Sequence, residues 1–363
     1  MGAAGPPAVF RPRPRIAVMR SAVYRGEKQV EVTDVPKASI SNATDALVKV
    51  TLAGVCGSDL HIYEGRIPGT EGWGMGHEFV GVVEEVGPEV RRFKKGDRVV
   101  SSFFVACGHC HYCVRGWFNQ CVQRGAFGYG EFFGGLGGAQ AEYVTVPLAD
   151  TTLEAIPNGM TDEQAIFVGD ILATGFFAAE RAEIKPGDTV AVIGAGPVGL
   201  MAIMCAQLFG PARVFVVDMV DSRLEFAQGM GAIPVNAKET HPVEAIKRDT
   251  GGFGVDRSIE CVGVLPAVET AMQVVKGGGT ISMVGIPNHS VGDFPYLDMW
   301  QRALTFRAGW CNVQAYMRPL LDLVAAGRLQ PESIISHRMK LDQAADAYRM
   351  FDAREATKIV LKP

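Results

Sequence analysis

The stretch Thr189–Gly199 reads TVAVIGAGPVG and decides the fold of the second half of the chain. A β-prone apolar run leads directly into a GxGxxG pattern, and a helical pattern follows. In such a unit the first glycine allows a tight turn, the second lets the backbone approach a pyrophosphate, and the third lets the helix pack closely on the strand. The pyrophosphate lies at the positive N-terminus of that helix. The residues predicted to bind a dinucleotide here are Gly194, Gly196, Pro197, Val198 and Gly199.

Asp218 ends the next apolar strand, RVFVVD. An acidic side chain at this position can bind both ribose hydroxyls and repels a 2′-phosphate, so NAD is favoured over NADP. Arg223, in the next predicted helix, tempers this preference because a nearby arginine attracts phosphate. The alternative is that Asp218 only caps the following helix. Val262 and Val284, which follow later strands, are predicted to line the same cofactor site.

The alternation of strands and helices continues through VDRSIECVG, GTISMVG and LTFRAG and predicts a doubly wound parallel sheet with right-handed crossovers. Before it, ALVKVTLAGV, FVGVVEEVG and AEYVTVP are short β-rich runs that glycines interrupt, which predicts an antiparallel β-rich domain. Residues 161–184 form one helical pattern, with Thr161 as N-cap and Gln164 as its capping-box partner. The last fifty residues contain no new βαβ unit and are expected to return to the first domain.

The predicted organisation is an α/β chain of two domains. Residues 171–309 form the Rossmann domain, whereas 16–170 and 310–363 form the β-rich catalytic domain, with a cysteine lobe at about 105–125. Residues 1–15, rich in Pro, Arg, Gly and Ala, are predicted to be a disordered extension.

Composition excludes several classes of protein. The 363 residues carry 35 Lys and Arg against 39 Asp and Glu, a net charge of −4 without a basic block, which disfavours a nucleic-acid binder. Mean hydropathy is +0.13, and no apolar stretch is long enough to span a membrane. No hydrophobic signal segment precedes the cysteines, so a reducing cytoplasm is the expected compartment.

Four of the eight cysteines lie close together in the chain. Short Cys-x2-Cys steps let one loop wrap a tetrahedral ion, and four thiolates leave no position open for substrate, so this pattern predicts a structural zinc site. An iron–sulfur cluster takes the same ligands, but the proline expected after the last cysteine is absent. Two disulfides are the remaining alternative. The four residues are Cys107, Cys110, Cys113 and Cys121.

A second set of potential metal ligands is scattered: Cys56 in VCGSDLHIY, His77 in GMGHEFVG and Asp170 in VGDILATGF. Taken singly, Cys56 reads as a small buried apolar residue. His77 reads as a hydrogen-bonded core residue, and Asp170 as a polar residue in a helix. Their significance depends on whether the segments belong together.

Together these segments resemble the zinc-dependent medium-chain alcohol dehydrogenases, and the resemblance covers nearly the whole chain from about Ile16. It implies a GroES-like catalytic domain beside the Rossmann domain. The residues that carry it stand in the family's order: Gly54-x-Cys56-Gly57-Ser58-Asp59-x-His61, Gly76-His77-Glu78 with Gly81, Gly96-Asp97-Arg98-Val99, the four-cysteine lobe and Gly194–Gly199.

The resemblance implies two zinc ions per chain, one structural and one catalytic. Cys56, His77 and Asp170 would hold the catalytic ion; many members have cysteine as the third ligand, and carboxylate is also an acceptable zinc ligand. Glu78 matches an acidic residue that can approach the metal transiently. Asp59 matches a partner that orients the His77 ring.

By the same resemblance, Ser58, the nicotinamide ribose and His61 relay a proton to solvent; the alternative for His61 is a loop histidine without a role. Gly57 stands where several members have a basic residue that touches the pyrophosphate. Lys358 lies near the place where an arginine often makes a similar contact, and is predicted to bind the cofactor.

The predicted function is an NAD-dependent, zinc-dependent alcohol dehydrogenase that oxidises primary or secondary alcohols by hydride transfer from an alkoxide at the zinc. Alternatives are a polyol, sugar-alcohol or amino-alcohol dehydrogenase of the same family, or a catalytically silent nucleotide-binding member. Ser58 is expected to face the substrate. The aromatic residues expected to line or flank the pocket favour apolar or aromatic alcohols, unless they belong to the core. They are Phe103, Phe104, Trp73 and Trp310. A homotetramer is expected, with a dimer as the alternative.

Overall fold

A computed structural model describes residues 17–287 and 294–363. The predicted extension at 1–15 lies outside the described residues. In chain order, the strands of the described part are β1 (Val18–Gly26), β2 (Gln29–Pro36), β3 (Ala46–Val55), β4 (Glu78–Val86), β5 (Arg98–Ser101), β6 (Tyr143–Val146), β7 (Leu153–Ala155), β8 (Thr189–Ile193), β9 (Arg213–Asp218), β10 (Ile233–Asn236), β11 (Val255–Glu260), β12 (Val275–Met283), β13 (Thr305–Ala308), β14 (His337–Lys340) and β15 (Ile359–Lys362).

The α-helices of the same part are short, and several begin at or next to a proline, which is pre-organised for a first helical turn. They are α1 (Asp59–Tyr63), α2 (Ala149–Thr152), α3 (Asp162–Ala165), α4 (Ile171–Arg181), α5 (Pro197–Ala206), α6 (Asp221–Gly229), α7 (Pro242–Asp249), α8 (Leu265–Val274), α9 (Tyr296–Gln301), α10 (Met317–Ala325) and α11 (Ala344–Asp352). None of these helices is long and apolar enough to cross a membrane.

The first sheet has the order β14-β15-β3-β4-β5-β7, with β6 also paired to β3, and β1 and β2 form a separate hairpin. All its pairs are antiparallel except β14–β15. Because β15 pairs with β3, the last residues of the chain lie beside the strand that leads to Cys56. The β-rich first half is therefore a mainly antiparallel sheet, as predicted.

The second sheet has six parallel strands in the order β10-β9-β8-β11-β12-β13. Its central strands are almost entirely buried because helices cover both faces of the sheet. Their sequences are therefore continuous apolar runs, such as AVI in β8 and VFVV in β9. The predicted doubly wound architecture is confirmed. The glycine-rich loop follows β8 and leads into α5, at the carboxyl edge of the sheet.

The predicted helix over 161–184 is correct at its start and wrong in its continuity. Thr161 Oγ1 accepts the backbone N–H of Gln164, and the Gln164 side chain accepts the N–H of Thr161, which completes the capping box. The helix then breaks: α3 passes into a 3₁₀ turn over Ile166–Gly169, and α4 begins only after Asp170.

The break has a physical cause at both residues of the joint. Asp170 has φ −152° and ψ −90°, outside the helical region, and this turns its carboxylate towards Cys56 and His77. Gly169 lies against the carbonyl oxygen of Ser101, where a Cβ would collide. Periodicity alone does not reveal such an interruption, because the residues on both sides stay apolar and buried.

Candidate active site

A cavity of about 920 Å³ opens between the two sheets. One wall comes from the β-rich domain and includes Cys56, Ser58 and His77. The other comes from the parallel sheet and includes the glycine-rich loop and Asp218. The predicted catalytic metal site and the predicted dinucleotide site therefore face the same cavity.

Three scattered residues meet at the inner end of this cavity. Cys56 follows β3, His77 precedes β4, and Asp170 is at the helix break. Asp170 Oδ2 lies 3.5 Å from Cys56 Sγ and 3.1 Å from His77 Nε2. All three are buried, and their donor atoms lie within 4.8 Å of one another.

The donor set suits zinc. One thiolate, one imidazole nitrogen and one carboxylate oxygen are ligands found in catalytic sites that leave a fourth position open. Tetrahedral coordination with ordinary zinc–ligand bonds would separate these ligand atoms by about 3.4–3.6 Å. The observed separations are close to this, so little movement is needed to hold the ion.

Asp59, at the start of α1, lies behind the His77 ring. Its Oδ1 is 2.9 Å from His77 Nδ1, and its Oδ2 accepts the backbone N–H of Cys56 at 2.9 Å. Burial opposes a charged His77, but Asp59, Tyr129 and Asp170 outweigh it and hold the pKa of the ring well above its usual value. With Nδ1 facing a carboxylate, Nε2 is the nitrogen directed at a metal.

Glu78 is held by Lys358, the residue predicted to bind the cofactor. Lys358 Nζ donates to Glu78 Oε2 at 2.5 Å, both side chains are fully buried, and the ammonium lies over the Phe167 ring. Lys358 does not line the cavity. In this structure its ammonium group faces the Glu78 carboxylate in a site closed to solvent, so the predicted contact with the cofactor would require the lysine to leave Glu78. Burial raises the pKa of Glu78 to about 7, although Lys358 opposes the shift.

Ser58 and His61 both line the cavity. Ser58 Oγ lies 3.3 Å from Cys56 Sγ and 3.2 Å from His77 Nε2, directly beside the metal ligands. His61 stands one turn further along α1. Burial and the nearby Arg66 lower its pKa below the usual value, although Asp59 opposes them.

Tyr129 is a residue that the sequence reasoning missed. Its ring is 5.6 Å from the His77 ring, and its hydroxyl lies against Ser58. Burial raises its pKa, so the phenol stays protonated. The flanking Gly128 and Gly130 have φ of 77° and 55°, which aims this loop at the cavity. A tyrosine between two glycines in the sequence was the available signal.

Aromatic side chains line the cavity beside Cys56, His77 and Asp170. Phe103 and Trp310 line the cavity with their rings 5.7 Å apart, and Phe104 stacks behind them at 4.8 Å from Trp310. Trp73 does not line the cavity. Its indole N–H donates to the Leu136 carbonyl instead. Phe133, which packs edge-on against Trp310 at 5.5 Å, is a further wall that the sequence did not reveal.

The glycine-rich loop forms the opposite wall. Gly194 has φ 97°, and a Cβ on Gly199 would collide with the carbonyl oxygen of Gly194, so both positions require glycine. Gly199 faces the strand and does not line the cavity. The predicted cofactor residues that do line it are Gly194, Gly196, Pro197, Val198, Asp218, Arg223, Val262 and Val284.

Asp218 makes local contacts as well as facing the cavity. Its Oδ2 accepts the N–H of Ala195 at 2.7 Å, and its Oδ1 accepts those of Met219 and Val220. It thus ties the glycine-rich loop to the start of α6, and of its about four acceptor sites one, on Oδ2, is left for a ribose hydroxyl. Arg354, from the β-rich domain, lines the cavity as well and lies close enough to Arg223 to lower its pKa, after the larger effect of burial.

The four cysteines of the lobe come together as a second group with sulfur atoms within 4.8 Å of one another. Cys110 and Cys113 are 3.5 Å apart, and Cys121 Sγ accepts the N–H groups of Cys107 and Gln123. Backbone N–H groups of Cys113 and Val122 lower the pKa of Cys110 to about 6. All eight cysteines are free thiols, which rules out the disulfide alternative in this structure.

Two family models match the chain: the alcohol dehydrogenase GroES-like domain over residues 42–158 and the zinc-binding dehydrogenase domain over 197–326. An uncharacterised zinc-type alcohol dehydrogenase-like protein of Bacillus subtilis, AdhB, is 38% identical over 95% of this chain and 100% of its own length.

Solved structures agree with the sequence relatives. Alcohol dehydrogenase TADH from Thermus sp. ATN1 superposes with a TM-score of 0.92 at 44% identity, over 95% of this chain and 99% of that chain. A zinc-binding dehydrogenase from Sinorhizobium meliloti 1021, bound to NADP, gives a TM-score of 0.85 at 30% identity over 96% and 100%. With a GroES-like domain, a Rossmann-type parallel sheet and relatives of matching length, the chain belongs to the zinc-type alcohol dehydrogenases, a family of oxidoreductases.

Proposed function

We propose that the protein is an NAD-dependent, zinc-dependent alcohol dehydrogenase that interconverts alcohols with aldehydes or ketones. The observation that supports this is the shared cavity: Cys56, His77 and Asp170 face the same space as Gly194, Gly196, Pro197 and Val198 of the glycine-rich loop. A metal site and a dinucleotide loop on opposite walls suit hydride transfer between a substrate at one and a nicotinamide at the other. A silent nucleotide-binding member would have no need for the three intact ligands.

A zinc ion held by these three side chains would supply Lewis-acid polarisation of the substrate oxygen, and NAD would accept the hydride. Ser58, beside two of the ligands, is placed to accept the proton that the alcohol loses. His61 is neutral over most of the physiological pH range because its pKa is lowered, so it is a ready acceptor nearer to solvent. Asp59 keeps the His77 ring in orientation.

We infer that NAD is preferred to NADP. The Asp218 carboxylate at the cavity wall disfavours a 2′-phosphate. Arg223 and Arg354 reduce this preference, since two guanidinium groups near one carboxylate leave a local positive balance. The relative bound to NADP is an example of this fold with that cofactor. We therefore expect the protein to prefer NAD without excluding NADP strictly.

We infer that the substrate is an apolar or aromatic alcohol. Phe103, Phe133 and Trp310 are among the walls of the cavity, and these three rings offer no partner for the several hydroxyls of a polyol. The alternative, a polyol or sugar alcohol, would leave those hydroxyls desolvated against aromatic faces. Activity with a polyol comparable to that with an aromatic alcohol would favour this alternative.

A homo-oligomer is proposed, a tetramer with a dimer as the alternative. β13 is an edge strand of the parallel sheet, and α9 next to it carries three large exposed apolar side chains, Tyr296, Leu297 and Trp300. Contiguous exposed aromatic surface favours association. The free thiols also agree with a reducing compartment such as the cytoplasm.

The test is a panel of primary, secondary and aromatic alcohols and polyols, assayed by reduction of NAD and of NADP with zinc-loaded protein. The control is Cys56→Ala, which removes one metal ligand and leaves the glycine-rich loop intact. Aromatic alcohol oxidation with NAD that the control lacks would support the proposal. Tight NAD binding without turnover of any alcohol would favour the catalytically silent alternative.

A further inference from the structure

A chain of buried polar side chains runs from the metal cluster to the C-terminal helix. Beyond His77 and Asp59 it continues to Gln140, whose Nε2 donates to Asp59 Oδ2 at 3.4 Å and to the Gly54 carbonyl at 2.9 Å. Its Oε1 accepts the hydroxyl of Tyr348, on α11, at 3.0 Å. Gln140 and Tyr348 are both fully buried.

The orientation of the Gln140 amide is determined by its partners. Its nitrogen faces two acceptors and its oxygen faces a hydroxyl, so a flipped amide would place oxygen against oxygen on one side. The chain makes room for this amide at Gly76, which has φ 86° and where a Cβ would collide with Gln140. Gly76 immediately precedes His77, so the glutamine packs against the backbone of a metal ligand.

Tyr348 is itself held from two sides. Its ring lies 5.2 Å from that of Tyr63, and it belongs to the apolar cluster between α11 and the β1–β2 hairpin. Its hydroxyl is thus fixed by packing rather than free to follow the glutamine. Because protein interiors are close-packed, a fixed Tyr348 hydroxyl also fixes the orientation of the Gln140 amide that it contacts.

We propose that Gln140 and Tyr348 are positioning residues for the catalytic metal site. Gln140 holds the Asp59 carboxylate, Asp59 holds the His77 ring, and Tyr348 holds Gln140, so metal retention depends on the packing of α11. Outer partners of ligating histidines commonly contribute 10–100-fold to metal affinity. The inference uses the proposed function only in that the Cys56–His77–Asp170 cluster holds zinc.

The test measures zinc release to a chromophoric chelator from protein with both sites filled. Gln140→Glu keeps the shape but sets a carboxylate against Asp59, and Tyr348→Phe removes only the hydroxyl. We expect release from the catalytic site to accelerate about tenfold in the first and a few-fold in the second. Release from the four-cysteine site, the internal reference, should not change. Tyr63→Phe, in the same apolar cluster but outside the polar chain, is the matched control.

A spectroscopic readout separates positioning from general destabilisation. With cobalt in the catalytic site, the d–d absorption bands should shift in Gln140→Glu and stay unchanged in Tyr63→Phe. Equal acceleration at both zinc sites, or unchanged release and spectra in both variants, would overturn the inference. If the parent protein binds no metal at the Cys56 cluster, the proposed function fails first, and metal analysis of the parent distinguishes the two failures.

Discussion

His61 shows how its surroundings change what one residue can do. Because burial and Arg66 lower its pKa, it stays an acceptor to a lower pH than a free histidine. The part of the rate that depends on it is therefore present above the lowered pKa and is lost as the pH falls through it, in a window below about 6.5.

For His61→Gln we expect alcohol oxidation to slow by up to about 10²-fold, since water can partly bypass a relay at the edge of solvent. The acidic limb of the kcat/KM profile that belongs to the imidazole should disappear, and added imidazole should restore part of the rate. Zinc content and NAD affinity should be unchanged. A pH profile of the same shape and height would leave His61 without a role.

Asp218 is expected to control the choice of cofactor. Asp218→Ala removes the carboxylate that faces the cavity next to Arg223. Binding of NAD should weaken and discrimination against NADP should relax, which dissociation constants for both cofactors will measure. Because Asp218 also ties Ala195 to the start of α6, Asp218→Asn, which keeps an acceptor oxygen for one of these contacts, is the control for loop damage. An unaltered preference in both variants would remove Asp218 from this role.

Lys358 and Glu78 form a pair whose separation should be costly. Lys358→Met leaves Glu78 buried without its partner, and breaking such a pair typically costs about 3–5 kcal/mol when the remaining group stays charged. Because the pKa of Glu78 is about 7 even beside Lys358, its carboxyl takes up a proton in the variant near neutral pH, so the loss approaches this figure only at alkaline pH. We expect that loss in the free energy of unfolding from denaturant titration of the zinc-loaded protein. The double variant Lys358→Met/Glu78→Gln should recover much of it, because no charge is then left unpaired. A single variant as stable as the parent would contradict the ion pair.

At the scale of elements, two glycines of the glycine-rich loop have different roles: Gly199 is needed for the loop to fold, and Gly196 is needed for the cofactor to bind. A Cβ at Gly199 would collide with Gly194, whereas a Cβ at Gly196 meets nothing within 4 Å. Gly199→Ala should therefore lower the free energy of unfolding by about 1–3 kcal/mol and also weaken NAD binding. Gly196→Ala should leave stability unchanged and weaken only NAD, since its methyl would stand where the backbone approaches the pyrophosphate. Equal stability losses in both variants would contradict this assignment.

The elements also show what the sequence could reveal. The parallel sheet follows from apolar runs that alternate with helices, and the capping box at Thr161 follows from two side chains three residues apart. The break at Asp170 could not be predicted, because its causes are the close approach of Gly169 to the Ser101 carbonyl and the positions of Cys56 and His77, all contacts distant in sequence. The contact of Lys358 with Glu78 could not be predicted for the same reason, since the two residues are 280 positions apart.

At the scale of the whole molecule, the two metal sites should differ in how firmly they hold zinc. Four cysteine ligands close one site, whereas three ligands leave the other open to the cavity. Brief chelation should therefore remove one zinc per chain and abolish activity while the circular dichroism of the fold persists. Metal analysis that finds a single zinc in the fully loaded protein, or inactivation that always accompanies unfolding, would contradict two separate sites.

The pairing of β15 with β3 has a consequence for the order in which the molecule can be assembled. On the ribosome, the segments of Cys56, His77 and Glu78 emerge first, and Lys358, with β15 after it, emerges 280 residues after Glu78. All four cysteines of the lobe lie within Cys107–Cys121, and every strand of the parallel sheet precedes β15 in the chain, so both can form before β15 is made. The catalytic cluster must wait for the charge that balances Glu78 and for the strand beside Cys56. Zinc that arrives during translation therefore meets a finished structural site and an unfinished catalytic one.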